Sequence, residues 1–115
     1  MNRNELDLNM SAWLIHNNAL NKGFYDVPNP GDINFILSKL ALVHSEVSET
    51  LEAIRKDQGE DAIMTEIADT IIRLLDFTQL LKETGYVSRE QNLTKVIEDK
   101  MEVNRNRANK HGNLA

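Results

Sequence analysis

Apolar residues recur along this chain with the 3.6-residue period of an α-helix, and no alternating strand pattern competes with them. Helices are predicted at about residues 5–20, 32–56, 60–83 and from 88 onward. Asp32 is suited to cap the second helix, residues 57–59 form a tight turn, and Ser88 forms a capping box with Gln91 for the fourth helix. Residues 24–31 are predicted to be a loop because two prolines and a glycine interrupt them. The pattern predicts an all-α fold of about four helices, a helical bundle with a central antiparallel hairpin.

The two central helices carry apolar residues on two faces rather than one. The main stripes consist of Ile36, Leu40, Val43, Val47, Leu51 and Ile54 in the second helix and of Ile63, Ile67, Ile71, Leu74 and Leu81 in the third. A second face of each helix mixes acidic and apolar side chains, in the sets Leu42, Glu46, Glu49 and Ala53, and Ala62, Glu66, Asp69, Arg73, Phe77 and Leu80. A helix that is apolar on two sides is usually buried on two sides, so oligomerisation is expected to complete the bundle.

Four carboxylates on these second faces are candidate metal ligands, Glu46 and Glu49 on one helix and Glu66 and Asp69 on the next. Residues three apart on a helix point the same way, so a packed hairpin would bring all four together. Crowded carboxylates repel one another, and a hard cation such as Mg²⁺, which prefers oxygen ligands, relieves the repulsion. Acidic pairs at this spacing also occur elsewhere in the chain, and a salt-bridged bundle without metal is the alternative interpretation.

Composition narrows the class of protein. The chain has 115 residues, which favours a single domain over residues 1–115, and its formal net charge of −5 argues against general nucleic-acid binding. It contains no cysteine, which excludes disulfides, thiolate metal sites and cysteine catalysis. No secretory signal and no apolar run long enough for a membrane span are visible, so a cytoplasmic location is expected.

Three further features have competing interpretations. The C-terminal segment is locally basic, which suits either a solubilising terminus or a phosphate-binding segment. His44 lies close to the main apolar stripe and is predicted to pack in the core. Trp13, Phe24 and Tyr25 are also predicted to be core residues, with base stacking as the alternative for one of them.

The combined motifs resemble the MazG-like nucleotide pyrophosphohydrolases of the all-α NTP pyrophosphatase superfamily. The family pattern of EExxE followed by ExxD is similar to Ser45-Glu46-Val47-Ser48-Glu49 and Glu66-Ile67-Ala68-Asp69, with Ser45 in place of the first glutamate. The family ending K-x₃-N-x₂-R…HG is matched by Lys100, Asn104, Arg107 and His111-Gly112. A segment with His16-Asn17 and then Gly23-Phe24-Tyr25 is similar to one that precedes the acidic helices in one branch of the family.

This resemblance implies Mg²⁺-dependent hydrolysis of an NTP or dNTP to the monophosphate and pyrophosphate, with Mn²⁺ as a substitute metal and nucleotide-pool housecleaning as the role. The implied metal ligands are Glu46, Glu49, Glu66 and Asp69. Either Glu46 or Glu49 would act as the catalytic base. The implied phosphate-binding residues are Lys100, Asn104 and Arg107. Candidates for base and sugar contacts are His16, Asn17, Trp13 and Phe24.

The resemblance and the short chain both favour a homodimer or a tetramer. The expected binding partner is a small-molecule nucleotide, and no binding to nucleic acid or to a membrane is expected. Two alternatives remain open. One is a non-catalytic helical interaction module whose acidic face meets a basic partner. The other is a related pyrophosphohydrolase that acts on phosphoribosyl-ATP.

Overall fold

A computed structural model describes residues 6–107, and these residues form four helices and no strand. The helices are α1 (Leu8–Asn21), α2 (Ile33–Arg55), α3 (Glu60–Glu83) and α4 (Leu93–Arg105). The predicted all-α fold with four helices is thus confirmed. None of the four has the length and apolar character that a membrane span requires.

The hairpin of α2 and α3 is the centre of the fold, and α1 packs along α3. Asp32 caps α2 as predicted, since its carboxylate accepts hydrogen bonds from the backbone N–H groups of Asn34 and Phe35. The predicted turn at 57–59 is also confirmed. Asp57 and Gly59 have φ angles of 52° and 97°, and the positive φ of Gly59 favours a residue that lacks a Cβ atom.

The fourth helix begins later than predicted, and the capping box at Ser88 is wrong. The side chain of Ser88 interacts with Glu90 in a turn, and the helix instead begins after Asn92, whose Oδ1 accepts a hydrogen bond from the Lys95 N–H. Asn9 of α1 explains why the helix begins after Asn92. Its side chain accepts a hydrogen bond from the Leu93 N–H at 2.9 Å and donates one to Asn92 Oδ1 at 2.8 Å. A tertiary contact therefore sets this helix start.

The buried core is small and lies where α1 meets the hairpin. It contains Ala19, Tyr25, Ile36 and Leu80, with Phe35, Phe77 and Leu81 packed around them. The prediction that His44, Trp13 and Phe24 are core residues is wrong, because all three are exposed in the chain. The buried histidine is His16, and it takes that place because a carboxylate pairs with it in the interior.

Burial in the hairpin follows the mixed acidic and apolar faces, while much of the main stripes stays exposed. On the acidic face of α2, Ala53 is fully buried. On the main stripe, Leu51 and Ile54 are 54% and 58% exposed, and Ile71 on α3 is 49% exposed. These stripes form an apolar groove of about 400 Å³ that is lined by Val47, Thr50, Leu51, Ile54, Ile67, Thr70 and Ile71.

Candidate active site

Three of the four predicted metal ligands meet between the central helices. Glu46 on α2 and Glu66 and Asp69 on α3 each place one carboxylate oxygen within 4.8 Å of the others. We call these three residues the acidic cluster. Glu49 lies one turn beyond Glu46 with an exposed side chain and is not one of these three.

The electrostatics of the cluster correspond to carboxylates that lie close to one another. Partial desolvation raises the pKa of Glu66, and the nearby charges of Asp69, Glu46 and Glu49 raise it further, in that order. Glu49 is therefore close enough to act electrostatically on the cluster. A bound cation would relieve the repulsion between these carboxylates.

The donor set fits a hard divalent ion. Mg²⁺ holds oxygen ligands at about 2.1 Å, so two ligands on opposite sides of one ion lie about 4.2 Å apart. The oxygen atoms of the acidic cluster lie within 4.8 Å of one another, so small rotamer changes would bring them into the same coordination sphere. An all-carboxylate site without histidine or cysteine favours Mg²⁺ or Mn²⁺ over zinc.

An arginine already contacts one of these carboxylates. Arg73 Nε donates a hydrogen bond to Glu46 Oε1 at 2.9 Å, which joins α3 to α2. Arg73 follows Asp69 by one helical turn and lies on the same face of α3. Beside the cluster is a cleft of about 290 Å³, whose polar and aromatic lining residues include Asn18, Phe24, Glu46, Asp69, Arg73 and Asp76.

One wall of this cleft is fixed by a partly buried hydrogen-bond network around Asp76. Its Oδ1 lies 2.7 Å from Nδ1 of His16, and its Oδ2 accepts the Tyr25 hydroxyl at 2.6 Å. The ammonium of Lys39 lies 4.5 Å from the centre of the Tyr25 ring. Burial, followed by the bond to Asp76, raises the pKa of Tyr25, while burial lowers the pKa of Lys39.

The predicted base and sugar contacts are divided between different places. Phe24 is exposed and lines the cleft. His16 is buried behind Asp76, and the Asn17 amide donates to the Trp13 carbonyl at 2.8 Å. Trp13 is exposed, but it is not among the residues that line this cleft.

The predicted phosphate-binding residues lie apart from the acidic cluster within one chain. Lys100, Asn104 and Arg107 lie on α4 or just after it, and α1 is the described helix against which α4 packs. Within residues 6–107, the buried Oδ1 of Asn104 has no hydrogen-bond partner. His111 and Gly112 of the predicted ending lie outside the described residues.

Sequence reasoning assigned no role to Arg73 or Asp76, which the structure places in or beside the cleft. It predicted Tyr25 to be a core residue, and the burial of Tyr25 confirms this, but it did not connect Tyr25 to the cleft. A signal was present for Arg73 and Asp76. Asp69, Arg73 and Asp76 follow one another at helical spacing, so that polar side chains continue along one face of α3. Tyr25 comes from a loop, and no local pattern connects it to that face.

Comparison with known protein families gives a match over the part of the chain that contains this site. A family model described as the MazG nucleotide pyrophosphohydrolase domain matches residues 36–108, which is more than half of the chain. This range includes both acidic pairs and the segment with Lys100, Asn104 and Arg107. No curated protein and no solved structure matches the chain.

Proposed function

Because the chain belongs to the MazG nucleotide pyrophosphohydrolase family, we propose that it hydrolyses a nucleoside triphosphate, NTP or dNTP, to the monophosphate and pyrophosphate with Mg²⁺. The observation that carries the proposal is the convergence of Glu46, Glu66 and Asp69 from two helices beside an open cleft. Mn²⁺ would substitute for Mg²⁺, since both prefer carboxylate oxygens.

The acidic cluster would hold the metal, and Glu49 would complete the set or remain beside it. A bound divalent ion would offset the charge of the phosphate oxygens and make water a better nucleophile at neutral pH. Glu46 is hydrogen-bonded to Arg73, whereas Glu49 is exposed and lies one turn away. We therefore favour Glu49 over Glu46 as the proton acceptor.

In the reaction, the oxygen of water forms a bond to the α-phosphorus, and the bond between this phosphorus and the oxygen that bridges to the β-phosphate breaks. The proton of the attacking water goes to Glu49, and pyrophosphate leaves. Phe24, exposed at the edge of the cleft, is suited to stack on the base. Housecleaning of the nucleotide pool is the biological role that this activity would serve.

A second copy of the chain is the proposed occupant of the apolar groove between α2 and α3. The groove is lined by isoleucine, leucine, valine and threonine side chains that remain exposed or half-buried in one chain. Removing an apolar surface of this kind from water favours association. Within the described part of its own chain, α4 packs against α1 and not against the helices that carry the acidic cluster. A dimer or tetramer could therefore bring Lys100, Asn104 and Arg107 of one copy to the acidic cluster of another.

The activity is tested by measuring pyrophosphate release from a panel of canonical and damaged NTPs and dNTPs, with phosphoribosyl-ATP included. We expect release to require Mg²⁺, and Glu49→Gln to lower turnover by about 10²–10⁴-fold, the usual contribution of a general base. Glu60→Gln is the matched control, because Glu60 is an exposed acid in the first turn of α3 away from the cluster. A folded protein that releases no pyrophosphate from any substrate would instead favour the helical interaction module.

Metal binding and association have separate tests. Millimolar Mg²⁺ should raise the melting temperature of the wild-type protein and have little effect on Glu49→Gln/Asp69→Asn, since binding to the native state alone stabilises it. An equal rise in the double variant would exclude the acidic residues as ligands.

In sedimentation, Leu51→Glu should produce monomers, while Met10→Glu, at an equally exposed position on α1, should not. A wild-type protein that sediments as a monomer would contradict the assembly.

A further inference from the structure

Resting on the function proposed above, we propose that Arg73 binds a phosphate group of the substrate, and that Glu46 holds this guanidinium beside the acidic cluster until the carboxylate binds a cation. The pair of Arg73 and Glu46 is the one ion pair between α2 and α3 in residues 6–107. The proposal assigns it a state-dependent role rather than a permanent structural one.

The contact between the two side chains occupies only part of the guanidinium. Nε donates to Glu46 at 2.9 Å, and within the described residues the two Nη groups make no hydrogen bond. A guanidinium has five N–H donors in a planar fork that matches phosphate oxygens, so four donors remain for a ligand. The side chain of Arg73 is 45% exposed, whereas that of Glu46 is 17% exposed, so the arginine is the partner with room to move.

The charges around the cleft explain why a cation would change the contact. Glu46, Asp69 and Asp76 line the cleft together with Arg73, which gives three carboxylates and one guanidinium. A phosphate would be repelled from such a surface. When Glu46 becomes a ligand of a divalent ion, its oxygens are partly neutralised, and the ion repels the guanidinium. Arg73 would then turn towards the cleft, where a phosphate group carries the compensating negative charge.

The position of other cations makes Arg73 the natural candidate within one chain. Among the described residues, it is the cationic side chain that lines the cleft. Lys39 is occupied over the Tyr25 ring, and Lys100 lies on α4, which packs against α1. Arg73 would therefore supply phosphate binding from the same helix that supplies two metal ligands.

The competing explanation is that Arg73 only fastens α2 to α3. The two explanations differ in the sign of one effect. A fastening residue, once removed, should loosen the hairpin and weaken metal binding. A residue that competes for Glu46 and then binds phosphate should do the opposite for the metal, because its removal frees the carboxylate, and should weaken the binding of phosphate ligands.

The experiment is a pair of calorimetric titrations on the full chain, first with Mg²⁺ alone and then with inorganic pyrophosphate at saturating Mg²⁺. For Arg73→Gln we expect Mg²⁺ affinity equal to or above that of the wild type, and pyrophosphate affinity lower by about tenfold or more, the usual effect of losing a charge-assisted hydrogen bond. The pyrophosphate affinity of Arg73→Lys should lie between those of the wild type and Arg73→Gln, because lysine keeps the positive charge but lacks the planar fork of donors. Arg55→Gln, which removes an exposed arginine paired with Glu52 on α2, is the control and should change neither titration.

Each outcome decides the matter. If Arg73→Gln binds pyrophosphate within twofold of the wild type, or if its Mg²⁺ affinity falls in parallel with its melting temperature, Arg73 is only a fastening residue. If Arg73→Gln fails to fold, the Arg73→Lys titrations apply the same criterion. Should the wild-type protein release pyrophosphate from nucleotides while its arginine variants bind as well as it does, this inference fails and the proposed function stands. Should the wild type bind neither Mg²⁺ nor pyrophosphate, both fail.

Discussion

Removal of Asp76 should cost several kcal/mol of stability, and the structure allows the cost to be worked out. Its two oxygens are the acceptors for His16 and Tyr25, at 2.7 and 2.6 Å. His16 and Tyr25 are only 2% and 5% exposed, so neither can turn to water when its acceptor is lost. A buried polar group left without a partner costs about 1–3 kcal/mol, so Asp76→Ala should lower the free energy of unfolding by about 2–6 kcal/mol. This is a large share of the stability of a small domain.

Two related variants should divide this cost. Asp76→Asn keeps one good acceptor for the two donors, so we expect it to lose about half as much. Tyr25→Phe removes one donor and leaves a carboxylate that is 18% exposed and can reach water, so the loss should be about 1–2 kcal/mol. Asp99→Ala is the control, because Asp99 pairs with Lys95 in solvent and such pairs contribute at most about 1 kcal/mol.

The assay is urea unfolding followed by circular dichroism, without metal and at one fixed protein concentration. The concentration must be fixed because the stability of an associating protein depends on it. The slope against urea should be the same for all variants, so that midpoints report stability. If Asp76→Ala loses no more stability than Asp99→Ala, then the network does not stabilise the fold and our account of the cleft wall is wrong.

Three other substitutions have defined expected results. Glu66→Gln should raise the melting temperature in the presence of a chelator, because it removes like-charge repulsion within the acidic cluster, and should abolish the rise caused by Mg²⁺; a retained rise would count against Glu66 as a ligand. Asn92→Ala should cost about 1 kcal/mol in urea unfolding, because α4 loses its cap and a partner of Asn9, and an unchanged midpoint would contradict that role. Gly59→Ala should also cost about 1 kcal/mol, measured in the same way; since a Cβ atom there meets nothing within 4 Å, any loss reports backbone strain at φ 97°, and no loss would mean that the turn adapts.

Local sequence signals were sufficient for the hairpin and its acidic residues. The cap at Asp32, the turn at 57–59 and the 3.6-residue period depend on neighbours within a few positions, so they can be read without a tertiary structure. The same period places Glu66 and Asp69 on one face of α3. These features account for the correct fold class and for the three carboxylates that meet.

The contacts that local signals missed all join residues far apart in the chain. Asn9 determines where α4 begins, and Asp76 is paired with side chains 60 and 51 residues earlier. Periodicity shows that α2 and α3 have two apolar faces, but it does not say which face the chain buries by itself. Which face of the hairpin is buried depends on how α1 and α3 pack together. The same packing buries His16 and leaves His44 exposed.

The full burial of Ala53 has a consequence for how this site could change in evolution. Ala53 lies two turns from Glu46 on the same face of α2, in the part of the hairpin next to the turn. A methyl group there lets the two helices approach closely, and this helix separation sets the distance between the carboxylates of the acidic cluster. A larger side chain would force the helices apart and move oxygen atoms away from a distance that an ion of fixed radius tolerates. Changes in the proposed metal affinity should therefore be sought in the size of a residue that has no polar side-chain atom.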